Sequence, residues 1–482
     1  MYEVYSPPKT CPDKSGLDPG LLAAVVEGAA RLTPEQALAI FHIMPLMDLG
    51  RWADARCRKI HGDHIRTYVI DRNINYTNVC TARCTFCAFR RDAEDHDAYT
   101  LAPEDIHTKI EELVAIGGTQ ILMQGGMNPR LPLQWYLGLL SGIRRKFPSV
   151  HIHAFSPPEM IEFVHFFNPP GLSLAEQLRW VLVRLKEAGL HSLPGGGGEI
   201  FAEPVRRKIG LGKCDAEAWL TTMRVAHELG MFTSATMMFG HIEGYADRVH
   251  HMHMVREWQD GALLGRGVTS EAKPDDHWGQ YVSFISWPFQ RENTPLGRVP
   301  DWGRGDQDAG EFPGDSVARA FDWGANPGVD YRELGPVAAN FGRRVRRSGA
   351  VDYLRTQALS RLYLDNIYSI GASWVTMGPH IGQAALMFGA NDMGSVMMEE
   401  NVVSAAGTTY CLDEPVICRL IREAGFLPAQ RNNTYDLVSV KDGPDSPDLA
   451  VSDWSKHRAK RLHIQSAREQ SEPVNVSVSA AR

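Results

Sequence analysis

Three cysteines lie close together in a chain that otherwise spaces its thiols singly. Cys80, Cys84 and Cys87, within NYTNVCTARCTFCAFRR (75–91), form a CxxxCxxC triplet, whereas Cys11, Cys57, Cys214, Cys411 and Cys418 have no neighbour at ligand spacing. Thiolates bind soft metal, and iron-sulfur clusters are normally held by four of them, so a set of three leaves one iron of a 4Fe-4S cluster without a protein ligand. That position is open for chemistry. Arg83, Arg90 and Arg91 bring positive charge expected to lower the thiol pKa values and to offset a thiolate-bound cluster. A tetrahedral zinc site would want a fourth Cys or His at short range, and His61, His64 and His96 are not at a standard spacing. A disulfide suits neither the length of the chain nor its few cysteines.

The triplet has to be positioned by something. IRTYVIDRNINYTN (65–78) alternates apolar residues as a strand does and runs straight into the cysteines, which places them past a strand's C-terminal end. Before it, residues 1–19 read as a loose arm, 21–30 as helix, 46–60 as helix, and Thr33-Pro34-Glu35-Gln36 as a capping box opening another. After it the pattern alternates. Helices are expected over 103–116, 133–146, 174–188, 215–229, 247–260 and 353–368, and strands in TQILMQGG, VHIHAF, the segment before Gly195–Gly198, MFTSATMMFG, YVSFISWPF, ASWVTMG and 394–402. Repeated strand-helix pairs predict an α/β fold, a TIM-type (β/α) barrel, closed or nearly closed, with the active site at the C-terminal ends of its strands.

The chain divides accordingly into an N-terminal arm with helices (1–64), a barrel (65–432) with insertions near 263–280 and 300–349, and a polar extension (433–482). The second insertion reads as a solvated excursion or a lid. With 482 residues there is ample length for a large core. Lys and Arg number 50 against 57 Asp and Glu, a net charge of -7, which argues against a nucleic-acid or membrane surface and for a small-molecule substrate. No apolar run has the length of a membrane span and the first residues do not read as a signal peptide, so the expected setting is cytoplasmic, where thiols stay reduced.

CxxxCxΦC, with Phe86 just before the last cysteine, resembles the signature of the radical S-adenosylmethionine (SAM) superfamily. The resemblance implies SAM at the open iron. It assigns the backbone of Gln124-Gly125-Gly126 to the SAM amino group, although the acidic residue of that element is absent here, and Glu199 to the SAM ribose. Gly240 and Glu243 match the end of an element that packs near adenine. Within the superfamily, RNINYTNVC, IHAFSPPEM, LPGGGGEI, WPFQRENTPL, FGANDMGSVMMEENVVSAAG and GFLPAQRN resemble the cyclic dehypoxanthine futalosine synthase family of menaquinone biosynthesis, with aminofutalosine synthase and FO synthase as its sisters. That resemblance implies a 5′-deoxyadenosyl radical that takes hydrogen from the ribose of dehypoxanthine futalosine, attack of the carbon radical on the benzoate ring, and an electron donor such as flavodoxin or ferredoxin. A non-catalytic iron-sulfur or zinc module is the alternative from another class.

The remaining candidates come from side-chain chemistry. His151 and His153 share a strand face, with Ser156 and Glu159 in the following loop; an imidazole near neutral pKa is a natural proton acceptor, and a buried, hydrogen-bonded His is the alternative. Arg291 could meet a benzoate carboxylate bidentately or lie in a surface ion pair. Gln290, Glu292, Asn293, Asn391, Asp392, Glu399 and Glu400 are polar groups at expected strand ends.

Overall fold

Eleven strands carry the architecture of the computed structural model, which describes residues 20–264, 273, 279–307, 310–320 and 331–459. They are β1 (Ile65–Val69), β2 (Asp71–Ile74), β3 (Gln120–Met123), β4 (His151–Ala154), β5 (Ser192–Leu193), β6 (Phe232–Phe239), β7 (Tyr281–Pro288), β8 (Ser369–Gly371), β9 (Asp392–Ser395), β10 (Leu427–Arg431) and β11 (Leu437–Val440). β1 and β2 are two halves of one extended stretch broken at Ile70. The first half pairs with β9 and β10, the second with β3. Because β3 to β9 each pair parallel with the next, both ends of the curled sheet meet in this stretch. The result is a parallel (β/α) barrel of the TIM type, as the alternating pattern predicts. β10 flanks β1 on its outer side and β11 returns antiparallel.

The helices cover the barrel with periodic apolar stripes. Ile106, Ile110 and Leu113 of Pro103–Ala115, and Leu178, Val181, Leu182 and Leu185 of Leu174–Ala188, are all buried. Each such side chain contributes about 1.5–3 kcal/mol by leaving water. The capping box forms as expected: the Thr33 amide donates to Gln36 Oε1 at 3.0 Å, and Gln36 N donates to Thr33 Oγ1 at 3.2 Å.

Several elements differ from the periodic reading. In the apolar run 372–378, Trp374–Met377 is a helical turn and the strand lies just before it at β8, because a short buried run carries no period that separates helix from strand. The last barrel strand is β9, ending at Ser395 rather than running to 402. Pro157–Phe167 adds a helix straight after β4, opened by a capping box between Ser156 and Glu159.

The C-terminal segment contributes more than a polar tail. Arg431 at the end of β10, and Asn433 and Tyr435 after it, turn into the barrel's N-terminal end, where Tyr435 packs with Phe232, Val282 and Tyr368. The boundary placed at 432 falls inside this plug. In the second insertion, Asp315 and Arg346 form an ion pair, and Arg346 stacks on Tyr245 and Phe312, against the outer helix Tyr245–Leu263. The arm 1–19, most of 265–278, 321–330 and 460–482 lie outside the described residues.

Candidate active site

Strand alternation decides which side chains face the barrel axis. Asp71, Asn73 and Asn75 from β2 and its extension, Gln120 and Leu122 from β3 with Gln124 just after it, Ser234, Thr236 and Met238 from β6, and Ser283, Ile285 and Trp287 from β7 line one cavity of about 490 Å³. The three cysteines line its mouth, and Arg431, Asn433 and Tyr435 line its floor. Such a volume suits a small-molecule site.

The cysteine loop is held by its neighbours' backbones. Cys80 N donates to Arg91 O at 3.1 Å, Thr81 N to Met127 O at 3.0 Å, Arg83 N to Leu211 O at 2.8 Å and Thr85 N to Ile209 O at 2.8 Å. The thiols pack with Ala82, Phe86 and Met127. Burial pushes the free Cys84 thiol up to about 12, with Lys213 as the main opposing influence. Of the three arginines expected to lower the thiol pKa values, Arg83 pairs with Asp92 and Arg91 with Asp97 at 2.7 Å, while Arg90 pairs with Asp92 and stays on the cysteine loop, its Nε donating to Cys80 O at 3.2 Å. Lys213 is the cation the sequence pattern missed. Its Nζ sits 2.6 Å from Glu199 Oε1 and 4.9 Å from the Phe86 ring centre. Nothing in sequence spacing marks it, since it comes from a loop 126 positions beyond the last cysteine of the triplet (213 − 87).

Among the described residues, no three His, Cys, Asp or Glu side chains converge as ligands of a single ion. Ligands of one zinc ion crowd a single point, whereas thiolates on a cluster each address a separate iron.

Glycine is needed where the main chain comes closest to the thiols. A Cβ on Gly126 would stand 2.1 Å from Val79 O and 2.9 Å from Cys80 Cβ, so nothing larger fits between this loop and the cysteines. Gly195 and Gly198 lie equally close on the β6 backbone, with 2.6 Å from a built Cβ to Ser234 O and Thr236 O respectively. Glu199 follows with φ 41°, a left-handed conformation unusual for glutamate, held by its carbonyl accepting Met238 N at 3.0 Å and by the Lys213 pair.

Cys80, Cys84, Cys87, Phe86, Gln124, Gly125, Gly126, Ser156, Glu199, His153 and Glu159 all line the cavity. Glu159 does not present a free carboxylate to it. Oε1 accepts from Tyr76 Oη at 2.7 Å and Gly125 N at 3.1 Å, and Oε2 from Ser156 N at 2.7 Å and Ser156 Oγ at 2.6 Å. With four donors on two oxygens it holds neighbouring elements together.

Four further candidates lie off the cavity wall. Arg291 donates to Gly297 O and pairs with Asp301 at 3.2 Å, closing its own turn. Glu243 is fully buried and accepts from Gly240 N at 2.7 Å, His241 N at 2.8 Å and Arg248 Nε at 2.9 Å; His241 and Arg248 hold its carboxyl well below the usual range against burial. It braces the turn that Gly240 opens, and neither residue reaches the cavity. His151 lies behind His153, its Nε2 at 2.7 Å from Ser192 Oγ. Of the strand-end polar groups, Gln290, Asp392 and Glu400 line the cavity, while Glu399 is spent on Arg72 and Lys109 and Asn391 on Arg361.

The floor holds a second buried pair. Arg431 donates to Asp392 at 2.5 and 2.9 Å, and Asp392 also accepts from Thr67 Oγ1 at 2.5 Å and Gly394 N at 2.8 Å. Asp71 accepts from Gln120 Nε2 at 3.1 Å and from Ser395 Oγ. Burial drives the His153 imidazole down to about 3, with Arg431 adding to the effect, so it is neutral.

Residues 74–255 match the radical SAM superfamily, and residues 331–443 match the CofH/MqnC C-terminal region. The chain is 37% identical over 419 residues to a cyclic dehypoxanthine futalosine synthase of Halalkalibacterium halodurans, covering 87% of this chain and 94% of that protein. It is 35% identical to another of the same name from Streptomyces coelicolor (90% and 91% covered) and 34% identical to an aminodeoxyfutalosine synthase of Thermus thermophilus (87% and 95% covered). The fold is similar to that of methylornithine synthase (PylB), with a TM-score of 0.53 at 16% identity, covering 85% of this chain and 97% of that one. It is likewise similar to the FeFe-hydrogenase maturase HydG from Carboxydothermus hydrogenoformans, with a TM-score of 0.54 at 14% identity, covering 86% and 79%. No helix among the described residues is long and apolar enough to cross a membrane.

Proposed function

The chain belongs to the radical SAM superfamily and is an enzyme of the group that carries the CofH/MqnC C-terminal region, and from that premise we propose that it converts dehypoxanthine futalosine to cyclic dehypoxanthine futalosine. The observation that carries this reading is the opening of Cys80, Cys84 and Cys87 onto a single cavity that reaches the polar floor of the barrel. Relatives bearing that name at 37% and 35% identity over nearly their full length support it.

The residues present fit the implied cofactors. Three soft donors on one braced loop, an apolar wall of Ala82, Phe86 and Met127, and a glycine that a Cβ would drive into the Val79 backbone and the Cys80 Cβ form a cradle suited to a thiolate-bound cluster. When bound, a 4Fe-4S cluster and SAM supply reductive cleavage of the sulfonium and so a 5′-deoxyadenosyl radical that abstracts hydrogen from the substrate ribose. The chain's own task is to bind, orient and keep out water.

Cys80, Cys84 and Cys87 would hold the cluster. The Gln124–Gly125 peptide is fixed on both sides: its N–H donates to Glu159, and its C=O accepts from Asn75 Nδ2 at 3.2 Å. Because a trans peptide points these groups in opposite directions, the carbonyl is aimed at the Asn75 side of the cavity, where an ammonium group of SAM can donate to it. Lys213 offsets negative charge at the thiols and holds Glu199 for a ribose. Met238, Ile285, Trp287 and Phe289 exclude water around the site where hydrogen is transferred. The reading includes a small electron donor such as flavodoxin or ferredoxin and a cytoplasmic setting, in keeping with thiols that must stay reduced.

The test is anaerobic. Reconstituted protein with SAM, dithionite and dehypoxanthine futalosine is expected to yield 5′-deoxyadenosine and a cyclised product in equal amounts, and Cys84→Ala neither. Turnover of an enolpyruvyl benzoate with no change to dehypoxanthine futalosine would move the assignment to aminofutalosine synthase. Product from Cys84→Ala would overturn the radical chemistry itself.

A further inference from the structure

The floor of the cavity contains a chain of hydrogen bonds whose proton count has consequences for the substrate. Ser192 Oγ lies 2.7 Å from His151 Nε2, 2.6 Å from His153 Nδ1 and 3.3 Å from Asn433 Nδ2. Asn433 Nδ2 is closer still to His151 Nε2, at 3.0 Å. A hydroxyl has one proton to give and two lone pairs, and an amide nitrogen only donates. Of the two imidazoles, one must therefore accept from Ser192 and the other donate to it.

Asn433 breaks the tie. If His151 Nε2 carried a proton, two donors would face each other at 3.0 Å; with a lone pair there, it accepts from both Asn433 and Ser192. Ser192 then gives its proton to His151, and its lone pair receives the proton on His153 Nδ1. That leaves the lone pair of His153 on Nε2. His153 lines the cavity, and among the described residues this nitrogen has no hydrogen-bond partner and is not one of the buried polar atoms left without one, so it opens into the cavity.

We infer that Asn433, His151 and Ser192 are positioning residues that fix His153 as the Nδ1–H tautomer, and that His153 Nε2 accepts a hydrogen bond from a hydroxyl of the substrate's sugar portion. The second half rests on the cyclase reading above; the first does not. The neighbourhood suits a hydroxyl. Asp71 and Asp392 add acceptor oxygens to the same floor, and the Arg431 charge is already matched by Asp392, so an anionic end of a substrate finds no free cation there. The neutrality of His153 agrees: burial and Arg431 keep a proton off the imidazole, which makes it a hydrogen-bond acceptor and a poor base. This differs from the proton-acceptor role suggested by the sequence alone.

The experiment has two arms on the full-length, cluster-loaded protein. In the first, histidine is labelled with 15N and tautomers are read by long-range 1H–15N correlation without substrate, the His153 signals being those lost in His153→Gln. The inference expects an unprotonated Nε2 from pH 6 to 8.5, and a switch to Nε2–H in Asn433→Asp, which replaces the donor with an acceptor. Asn433→Leu, lacking either, controls for disturbance of the floor and is expected to give a mixture. A protonated Nε2 in the unmodified protein, or one indifferent to Asn433→Asp, overturns the relay. In the second arm, His153→Phe is expected to raise KM about tenfold with kcat little changed, the signature of lost ground-state binding. A fall in kcat at unchanged KM would overturn the hydroxyl contact while leaving the tautomer result standing. Absence of any turnover by the unmodified protein would count against the cyclase reading, not against the relay.

Discussion

Glu159 Oε1 accepts the amide of Gly125 at 3.1 Å, so a capping residue of the helix after β4 sets the orientation of a peptide in the loop after β3. Its other oxygen closes the helix N-terminus at Ser156, and Tyr76, at the entry to the cysteine loop, completes the hub. Neighbouring strand ends are therefore coupled through one buried carboxylate, beside the thiols and not among them.

Removing parts of that hub should separate stability from cofactor binding. Tyr76→Phe deletes one hydrogen bond and keeps the ring, at about 1 kcal/mol in denaturant unfolding. Glu159→Ala leaves buried donors on Gly125, Ser156 and Tyr76 without an acceptor and should cost about 3 kcal/mol or more, with SAM affinity falling further than iron content. Equal losses of SAM and iron would mean the hub serves only the cysteine loop.

Two glycines give opposite expectations for the same substitution. Gly126→Ala puts a methyl group 2.1 Å from Val79 O, a backbone atom that can move only with the cysteine loop, and should lower both melting temperature and iron per chain after reconstitution. Gly138→Ala, inside the helix Leu133–Lys146 with open space around it, should raise stability by about 0.5–1 kcal/mol and leave iron content alone.

Lys213→Met should destabilise the chain by about 3–5 kcal/mol, because it leaves the buried Glu199 carboxyl without its ion-pair partner. Adding Glu199→Gln to that variant should recover part of the loss, measured by urea unfolding. SAM binding should stay weak in both, since the Glu199 carboxylate is misplaced in one and absent in the other.

Asp247 gives a pH dependence of definite sign. Burial raises its carboxyl to about 8, against an unfolded value near 3.8, so between these the folded chain holds the extra proton. Its contribution is complete below about pH 4 and is lost as pH rises through 8, at up to about 1.4 kcal/mol per unit. Asp247→Asn keeps an oxygen for the Gly244 amide, 2.9 Å away, and carries no proton to lose. Unfolding free energies at pH 6, 7 and 8 should show the variant gaining on the unmodified protein at each step. His153 works the other way: its imidazole, lowered to about 3, gives stability that is complete above about pH 6.5 and lost as pH falls toward 3. A gap between variant and unmodified protein that stays constant from pH 6 to 8 would mean that Asp247 is not the titrating group.

The cysteine triplet, the alternation of helices with buried strands and the glycine runs were legible in the sequence because each is a local pattern: ligand spacing, period, or a backbone that must pass close to another. Those patterns determined the barrel and the end of it that carries the thiols; Phe86, Gln124, Gly125, Gly126 and Glu199, which line the cavity, were singled out by resemblance to the superfamily and not by pattern alone. What the sequence could not assign was the use of each charge, since that depends on which partner arrives from a distant segment. Only the tertiary structure paired Arg83, Arg90 and Arg91 with carboxylates and brought Lys213 to the same cavity as the thiols. It also closed Arg291 into its own turn, filled both oxygens of Glu159, and brought Asn433 across 282 positions to His151. A hydrogen bond or ion pair forms where folding brings two groups within about 3 Å, and nothing in the order of residues along the chain encodes that distance.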